Sequence, residues 1–390
     1  MKLIVLLSRF PYPLEKGDKL RAYYQLKYLH KKHDIYCIAL NDKKLSNNDI
    51  QSVAEFCKEL HIINIKWWNK IFYLILFFLK GLPMQCGYFY SKKAQKTINK
   101  HIKRINPDHI YGQLIRVAEY IKHQNYKKTI DYQDALSKGM YRRYKKSPFY
   151  LKPFLYLEYK RLIKYEAHVF DLFDNHTIIT KIDRDLINHK NSNKIHVVTN
   201  GVDFDTFKYN GEEKEFEIIF SGNMSYFPNV DAAEFLTNKI IPKLKNYFPN
   251  IKLVICGTNP NHRVKALANK NIIVTGWVDS TAKYYAKSKI FVAPMRFGSG
   301  LQNKILEAMA VGLPCVTSNL AGKPLENINS EKEIIICDTV SEYCDAIIHL
   351  LNDIDFYDKI SKNGHEYVLK NYNWEYSSNQ LDAIFNNNKI

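Results

Sequence analysis

The sequence predicts an α/β protein of two domains, each built on a largely parallel sheet. Three observations carry this. The chain has 390 residues, 46% of them apolar, too many for one ordinary domain and enough to fill two cores. Short apolar runs of strand length (KLIVLL, LVICG, KIFVA) alternate with helix-length segments. Residues 289–318, KIFVAPMRFGSGLQNKILEAMAVGLPCVTS, read as strand, glycine loop, helix and strand, which is a βαβ unit.

The first half opens with a strand at Lys2–Leu7. Its apolar run is too short for a secretory signal and is followed at once by Arg9. The loop from Ser8 to Leu20 carries Pro11, Pro13 and Gly17 and leads into a helix at about 19–33, with Asp18 or a neighbour as its cap. Asp34–Leu40 is the second strand. Trp67–Leu79 is the most apolar stretch and falls short of the about 20 residues that span a bilayer. Two tryptophans with Lys66, Lys70 and Lys80 leave two readings open, a buried helix or a helix lying at a membrane interface.

Asp108–Tyr111 and Lys128–Ile130 read as strands, and Asp131 and Asp134 lie just past the second. Such a position suits a carboxylate that holds or deprotonates a substrate hydroxyl; a helix cap for the segment from Lys138 onward is the other reading. Residues 141–165 are basic and aromatic, helical on both sides of Pro148 and Pro153. No RRM, KH, OB or helix-turn-helix signature accompanies them, so a solvated or lipid-facing surface is expected and no nucleic-acid partner.

Ile195–Val198 is a strand, and the turn at Asn200–Asp203 marks the boundary: one domain over 1–198, a second over 199–370. Glu217–Phe220 opens the second sheet, followed by Gly222 and Asn223 and a helix from Asn229. Lys252–Gly257 and Ile272–Val274 are further strands, the latter followed by Gly276, Trp277 and Val278.

The segment 289–318 holds the chemistry. Ile290–Ala293 is a strand, Arg296–Gly300 a loop, and residues 301–311 a helix stopped by Gly312 and Pro314. A helix N-terminus behind Gly298 and Gly300 suits an anion. Lys304 adds a full charge, and Glu307, one turn on, can accept hydrogen bonds from a vicinal diol such as a ribose. A phosphate site beside a sugar-hydroxyl site suits a nucleotide-sugar; a plain surface ion pair is the bland alternative.

GSGLQNKILEAMAVGLPCV resembles the donor-site signature of retaining GT-B glycosyltransferases of family 4. SRFPYPLEKGDKLR, HVVTNGVDFDTF and FSGNMSYFPNVDAAEFL extend the resemblance over nearly the whole chain, to the bacterial type found with exopolysaccharide and surface-glycan synthesis. The resemblance implies two Rossmann-like domains facing across a cleft, with residues 371–390 crossing back to the first. It implies sugar transfer from a UDP- or GDP-linked donor to a glycan or polyprenyl-linked acceptor, with retention of configuration, no cofactor and no required metal. Glu307 would bind the donor ribose. Lys304, Arg296 and the Gly298–Gly300 loop would hold the diphosphate, with Gly222 and Asn223; Trp277 and Val278 would meet the base. Ser299 stands where the family usually has a glutamate that holds the donor sugar. Gly17 would face the diphosphate, with Lys19 and Arg21 beside it. Asp131 and Asp134 occupy the place where many relatives carry a histidine, so Asp134 joins Lys304 and Glu307 as the catalytic set and Asp131, Lys19 and Arg21 line the acceptor side. A nucleotide-sugar epimerase or hydrolase of the same fold, or a non-catalytic membrane-surface protein, are the rival readings.

Charge and thiols bound the surroundings. Residues 1–200 carry 37 basic and 17 acidic residues, and the rest carry 20 and 22, so the net charge of +18 lies wholly in the first half. A basic half implies an anionic surface, and the expected place is cytoplasmic, peripheral at the inner face of the membrane. Seven scattered cysteines without a CxxC pair predict buried free thiols. The triplets Asp183–Asp185, Asp203–Asp205 and Asp353–Asp355 read as turns and caps.

Overall fold

A computed structural model describes residues 1–208, 212–298 and 300–386. The chain divides into two units, residues 1–199 with 374–390, and residues 200–373.

The first unit is a seven-stranded parallel sheet. Its strands are β1 (Lys2–Leu7), β2 (Asp34–Asn41), β3 (Glu59–Asn64), β4 (His109–Gln113), β5 (Lys127–Asp131), β6 (Asn175–Ile178) and β7 (His196–Val197). They lie in the order β3-β2-β1-β4-β5-β6-β7. β1 pairs on both sides and is buried from Leu3 to Leu7, which is why it reads as an unbroken apolar run rather than an alternating one. The second unit has β8 (Phe216–Ser221), β9 (Leu253–Cys256), β10 (Ile272–Gly276), β11 (Ser288–Ala293), β12 (Cys315–Ser318) and β13 (Ile335–Cys337), ordered β10-β9-β8-β11-β12-β13. Three strands escape sequence reading: β3 is a half-buried edge, and β6 and β13 have only four and three residues.

The helix predicted at 19–33 runs over Gly17–Leu29, and Asp18 does not cap it: Lys16 occupies the cap without a side-chain bond. Asp18 instead pairs with Arg9. The last helix, Trp374–Phe385, is core to the first unit. Trp374 stacks on Tyr24 at 5.1 Å, and Leu381 and Phe385 pack with Leu3, Val5 and Leu7. All seven cysteines are free, and only Cys57 is not fully buried. Asp183 lies in the first turn of a helix capped by Thr180, Asp203 caps its own turn through Thr206 and Asp205, and Asp353 caps a helix.

Arg21 and Asp131 depart from the expected acceptor role. Both side chains have 0% exposure. Arg21 Nε and Nη2 donate to the two Asp131 oxygens at 2.7 and 3.2 Å, Thr177 donates to Asp131 Oδ1 at 2.8 Å, and Arg21 Nη1 reaches the Thr199 carbonyl at 3.3 Å. The bidentate fork is closed, so these two residues fasten helix Gly17–Leu29 to β5, β6 and the end of β7. Lys19 is likewise buried, its Nζ on the Tyr12 carbonyl at 3.1 Å, so its charge serves its own loop.

Removing one partner of such a pair strands a buried charge at a cost of about 3–5 kcal/mol. Asp131→Ala is therefore expected to lower the unfolding free energy of the first unit by that much, read as a fall in its urea midpoint. The double variant Arg21→Met/Asp131→Leu should recover most of the loss, and equal midpoints for the two variants would contradict it.

Candidate functional site

Parallel sheets leave a crevice outside the carboxyl ends of two neighbouring strands where the strand order reverses. In the second unit this falls between β8 and β11. The loop after β11 and helix Asn303–Ala310 form one wall, and the loop after β8 and helix Phe227–Phe235 the other.

The helix starts two residues later than predicted, with Gln302 at its cap. Its end is a Schellman motif: Gly312 N–H to Met309 O and Leu313 N–H to Ala308 O, with Gly312 at φ +78°. Ile305, Leu306, Ala308 and Met309 face the core, which leaves Lys304 and Glu307 partly exposed toward the crevice.

These two side chains take separate partners. Lys304 Nζ donates to Asn229 Oδ1 and lies 4.8 Å from the Phe220 ring centroid. Glu307 Oε2 accepts a long hydrogen bond, 3.5 Å, from the Tyr285 hydroxyl, which is itself 2.6 Å from Ser221 Oγ. The surface ion pair that the sequence allowed is thus not formed. Burial pushes the Lys304 ammonium down to about 7, against the pull of Glu307. Burial pushes the Glu307 carboxyl up to about 7, against Tyr285 and Lys304. Opposite charges held in a crevice with mostly neutral partners mark a ligand site rather than a structural pair.

The β8 wall is built by close backbone approach. Gly257 has φ +148°, and a Cβ there would lie 1.8 Å from the Gly222 carbonyl oxygen. A Cβ on Gly222 would meet the Asn229 amide at 2.7 Å. Asn229 Nδ2 holds the Asn223 carbonyl at 3.0 Å, so one amide fixes both the loop and the lysine. Asn223 spends its own side-chain oxygen on Ser225.

Arg296 departs from the expected diphosphate role: Asp231 takes Nε and Nη2 at 3.0 and 2.7 Å, and the guanidinium lies 4.5 Å from the Phe235 centroid. It ties the β11 loop to the opposite wall. Gly298 and Gly300 have φ +120° and +73°, the left-handed region that favours glycine. Ser299 lies outside the described residues. Trp277 is 68% exposed, and Val278 is half-buried beside it. Tyr285 carries no motif of its own, and Asn229 and Asp231 lie in FSGNMSYFPNVDAAEFL without a role read from it; only their place in the crevice gives all three one.

In the first unit, Gly17 is exposed at the helix start with open space where a Cβ would project. Asp134 does not cap the following helix, whose cap is Ala135. Burial pushes its carboxyl up to about 7, with Asp183 and Asp131 adding to the effect, which suits proton exchange near neutrality.

Residues 215–353 match the family described as Glycosyl transferases group 1. A Klebsiella pneumoniae protein of the cps region is 23% identical over 413 residues, 99% of this chain and 100% of the relative. The Escherichia coli UDP-Gal:alpha-D-GlcNAc-diphosphoundecaprenol alpha-1,3-galactosyltransferase is 24% identical over 204 residues, 46% of this chain and 51% of that one. A glycosyltransferase from Rickettsia africae shares the fold with a TM-score of 0.69 at 15% identity, covering 99% of this chain and 98% of the other. With both sheets, the reversal-point crevice and the matched domain in agreement, the chain has the GT-B fold and carries a domain similar to the Glycosyl transferases group 1 family over residues 215–353.

Proposed function

We propose that the chain transfers a sugar from a nucleotide-sugar to a glycan or lipid-linked glycan acceptor, with retention of anomeric configuration, in the synthesis of a bacterial surface polysaccharide. The observation that carries this is the Lys304–Glu307 crevice. The diphosphate lies against Lys304 and the start of helix Asn303–Ala310, where partial positive charge and the ammonium stabilise the departing anion. The ribose diol donates to Glu307. Trp277 offers an exposed flat face near the end of β10 for the base. Asp134, on the basic first unit, holds or deprotonates the acceptor hydroxyl. The E. coli relative is named for a UDP-Gal donor and a diphosphoundecaprenol acceptor, which agrees in class with both halves of this reading.

The chain works at an anionic membrane surface. Among the described residues no helix is long and apolar enough to cross a membrane. Helix Trp67–Leu79 nevertheless turns Trp67, Trp68, Ile71, Phe72, Ile75 and Leu79 outward, each 49–75% exposed. Lys66 lies 4.7 Å over the Trp68 ring. Aromatic and basic groups side by side on an apolar face suit the interface of a bilayer.

Glu307→Ala is expected to reduce sugar transfer at least about 100-fold, and Lys304→Ala about 10²–10³-fold, with the melting temperature of Glu307→Ala nearly unchanged; activity retained per folded molecule would refute the site. Binding of UDP should peak near pH 7. Below it Glu307, raised in the folded chain, takes up a proton and loses the diol; above it Lys304, lowered in the folded chain, loses its charge and the phosphate. Lys304→Arg should remove only the alkaline limb, as read by calorimetry. Liposomes rich in anionic lipid should retain the chain in low salt and release it as the Debye length shrinks, and Trp67→Ser/Trp68→Ser should weaken retention several-fold; a variant retained like the parent would remove the membrane claim.

A further inference from the structure

The first unit has a reversal-point crevice of its own, between β1 and β4. The loops leaving those two strands carry Arg9 and Arg116. Both guanidiniums lie over the same ring: each Cζ is 5.1 Å from the Phe89 centroid. Arg9 is paired through Nη1 with Asp18. Arg116 has no ion pair among the described residues; its Nε donates to Gln85 Oε1 at 3.2 Å. Burial and the neighbouring Arg9 both disfavour its charge.

The ring is firmly seated. Phe89 is buried and ends the short helix Met84–Tyr88. Glu158 accepts the N–H groups of Met84 and Gln85 at 2.8 and 3.1 Å. Gly87 packs so tightly on helix Trp67–Leu79 that a Cβ would lie 2.4 Å from the Tyr73 carbonyl oxygen. Lys70 of that helix reaches the Tyr88 hydroxyl at 3.2 Å. The arginine pair is thus joined through one short helix to the exposed apolar face described above.

Two planar cations held over one ring, one of them without a carboxylate, form a site that an anion completes. Two forks suit two phosphoryl groups, and the adjoining apolar helix suits a hydrocarbon tail. We infer that Arg116 and Arg9 bind the diphosphate of a lipid-linked acceptor, whose chain lies along the Trp67–Leu79 helix. This deepens the acceptor half of the proposed function and rests on it. It requires an acceptor with a diphosphate head, since a neutral glycan leaves Arg116 unpaired.

The test is calorimetry on the full chain with farnesyl diphosphate, farnesyl monophosphate, farnesol and UDP as probes. The diphosphate should bind at least about tenfold tighter than the monophosphate and weaken with salt. Arg116→Ala should lower its affinity at least about tenfold and Arg116→Lys less, with UDP binding unchanged. Should Arg116→Ala fail to fold, Arg9→Gln, at a partly exposed position, provides the same reading. Equal loss of UDP and farnesyl diphosphate in the variant would assign the arginines to the donor and overturn the inference. Farnesyl diphosphate binding no better than farnesol, or undiminished in both variants, would also overturn it. Farnesyl diphosphate binding as expected in a chain that binds neither UDP nor GDP would leave this site standing and refute the donor reading instead.

Discussion

Parallel strand pairing is the constraint from which the sites follow. It sends every strand's carboxyl end to one edge of its sheet, and at the single place where the strand order turns back two neighbouring loops must part. Each unit has one such place. In the second, the loops after β8 and β11 part around Lys304 and Glu307. In the first, the loops after β1 and β4 part around Arg9 and Arg116. Arg9, Arg116, Lys304 and Glu307 lie on these loops or within the first turns beyond them, whereas Asp134 and Trp277 follow the neighbouring strands β5 and β10.

Buried charge is used in two ways. Arg21 and Asp131 satisfy each other with two hydrogen bonds and no exposure, so nothing remains for a ligand. Lys304 and Glu307 are held instead by an amide and, through a long bond, by a phenol. Neutral partners fix a side chain without cancelling its charge, and burial then drives the ammonium down and the carboxyl up toward a common value. Such a site is poised: a ligand anion supplies the charge opposite Lys304, and ligand hydroxyls supply the donors that Glu307 lacks. Arg116, bonded to Gln85 rather than to a carboxylate, repeats the pattern with a cation.

Close backbone contact sets the geometry of the donor crevice. The Gly257–Gly222 approach leaves no room for a side chain, and it brings the β8 loop near enough for Asn229 to bridge loop and lysine. On the far side, Arg296 and Asp231 lash the β11 loop across the mouth. A cation read as a ligand for phosphate is spent on holding the walls together, which leaves Lys304 as the ammonium facing the crevice.

The sequence by itself determined the parallel strands, because an unbroken apolar run is buried on both faces; the helix stop at Gly312, because a left-handed residue is required there; and the positions of Lys304 and Glu307 on one helical face. The short or half-buried strands β3, β6 and β13 were not legible, since a few residues with mixed burial show no period. Partnership was decided only by tertiary structure. Arg21 and Asp131 lie 110 residues apart and became a closed pair, Arg296 found Asp231 on the helix after β8, 65 residues back, and Tyr285 reached Glu307, none of which local spacing encodes. Whether a charged residue serves the fold or a ligand depends on what stands opposite it, and a linear pattern fixes which way a side chain points along its own element but not what it will meet.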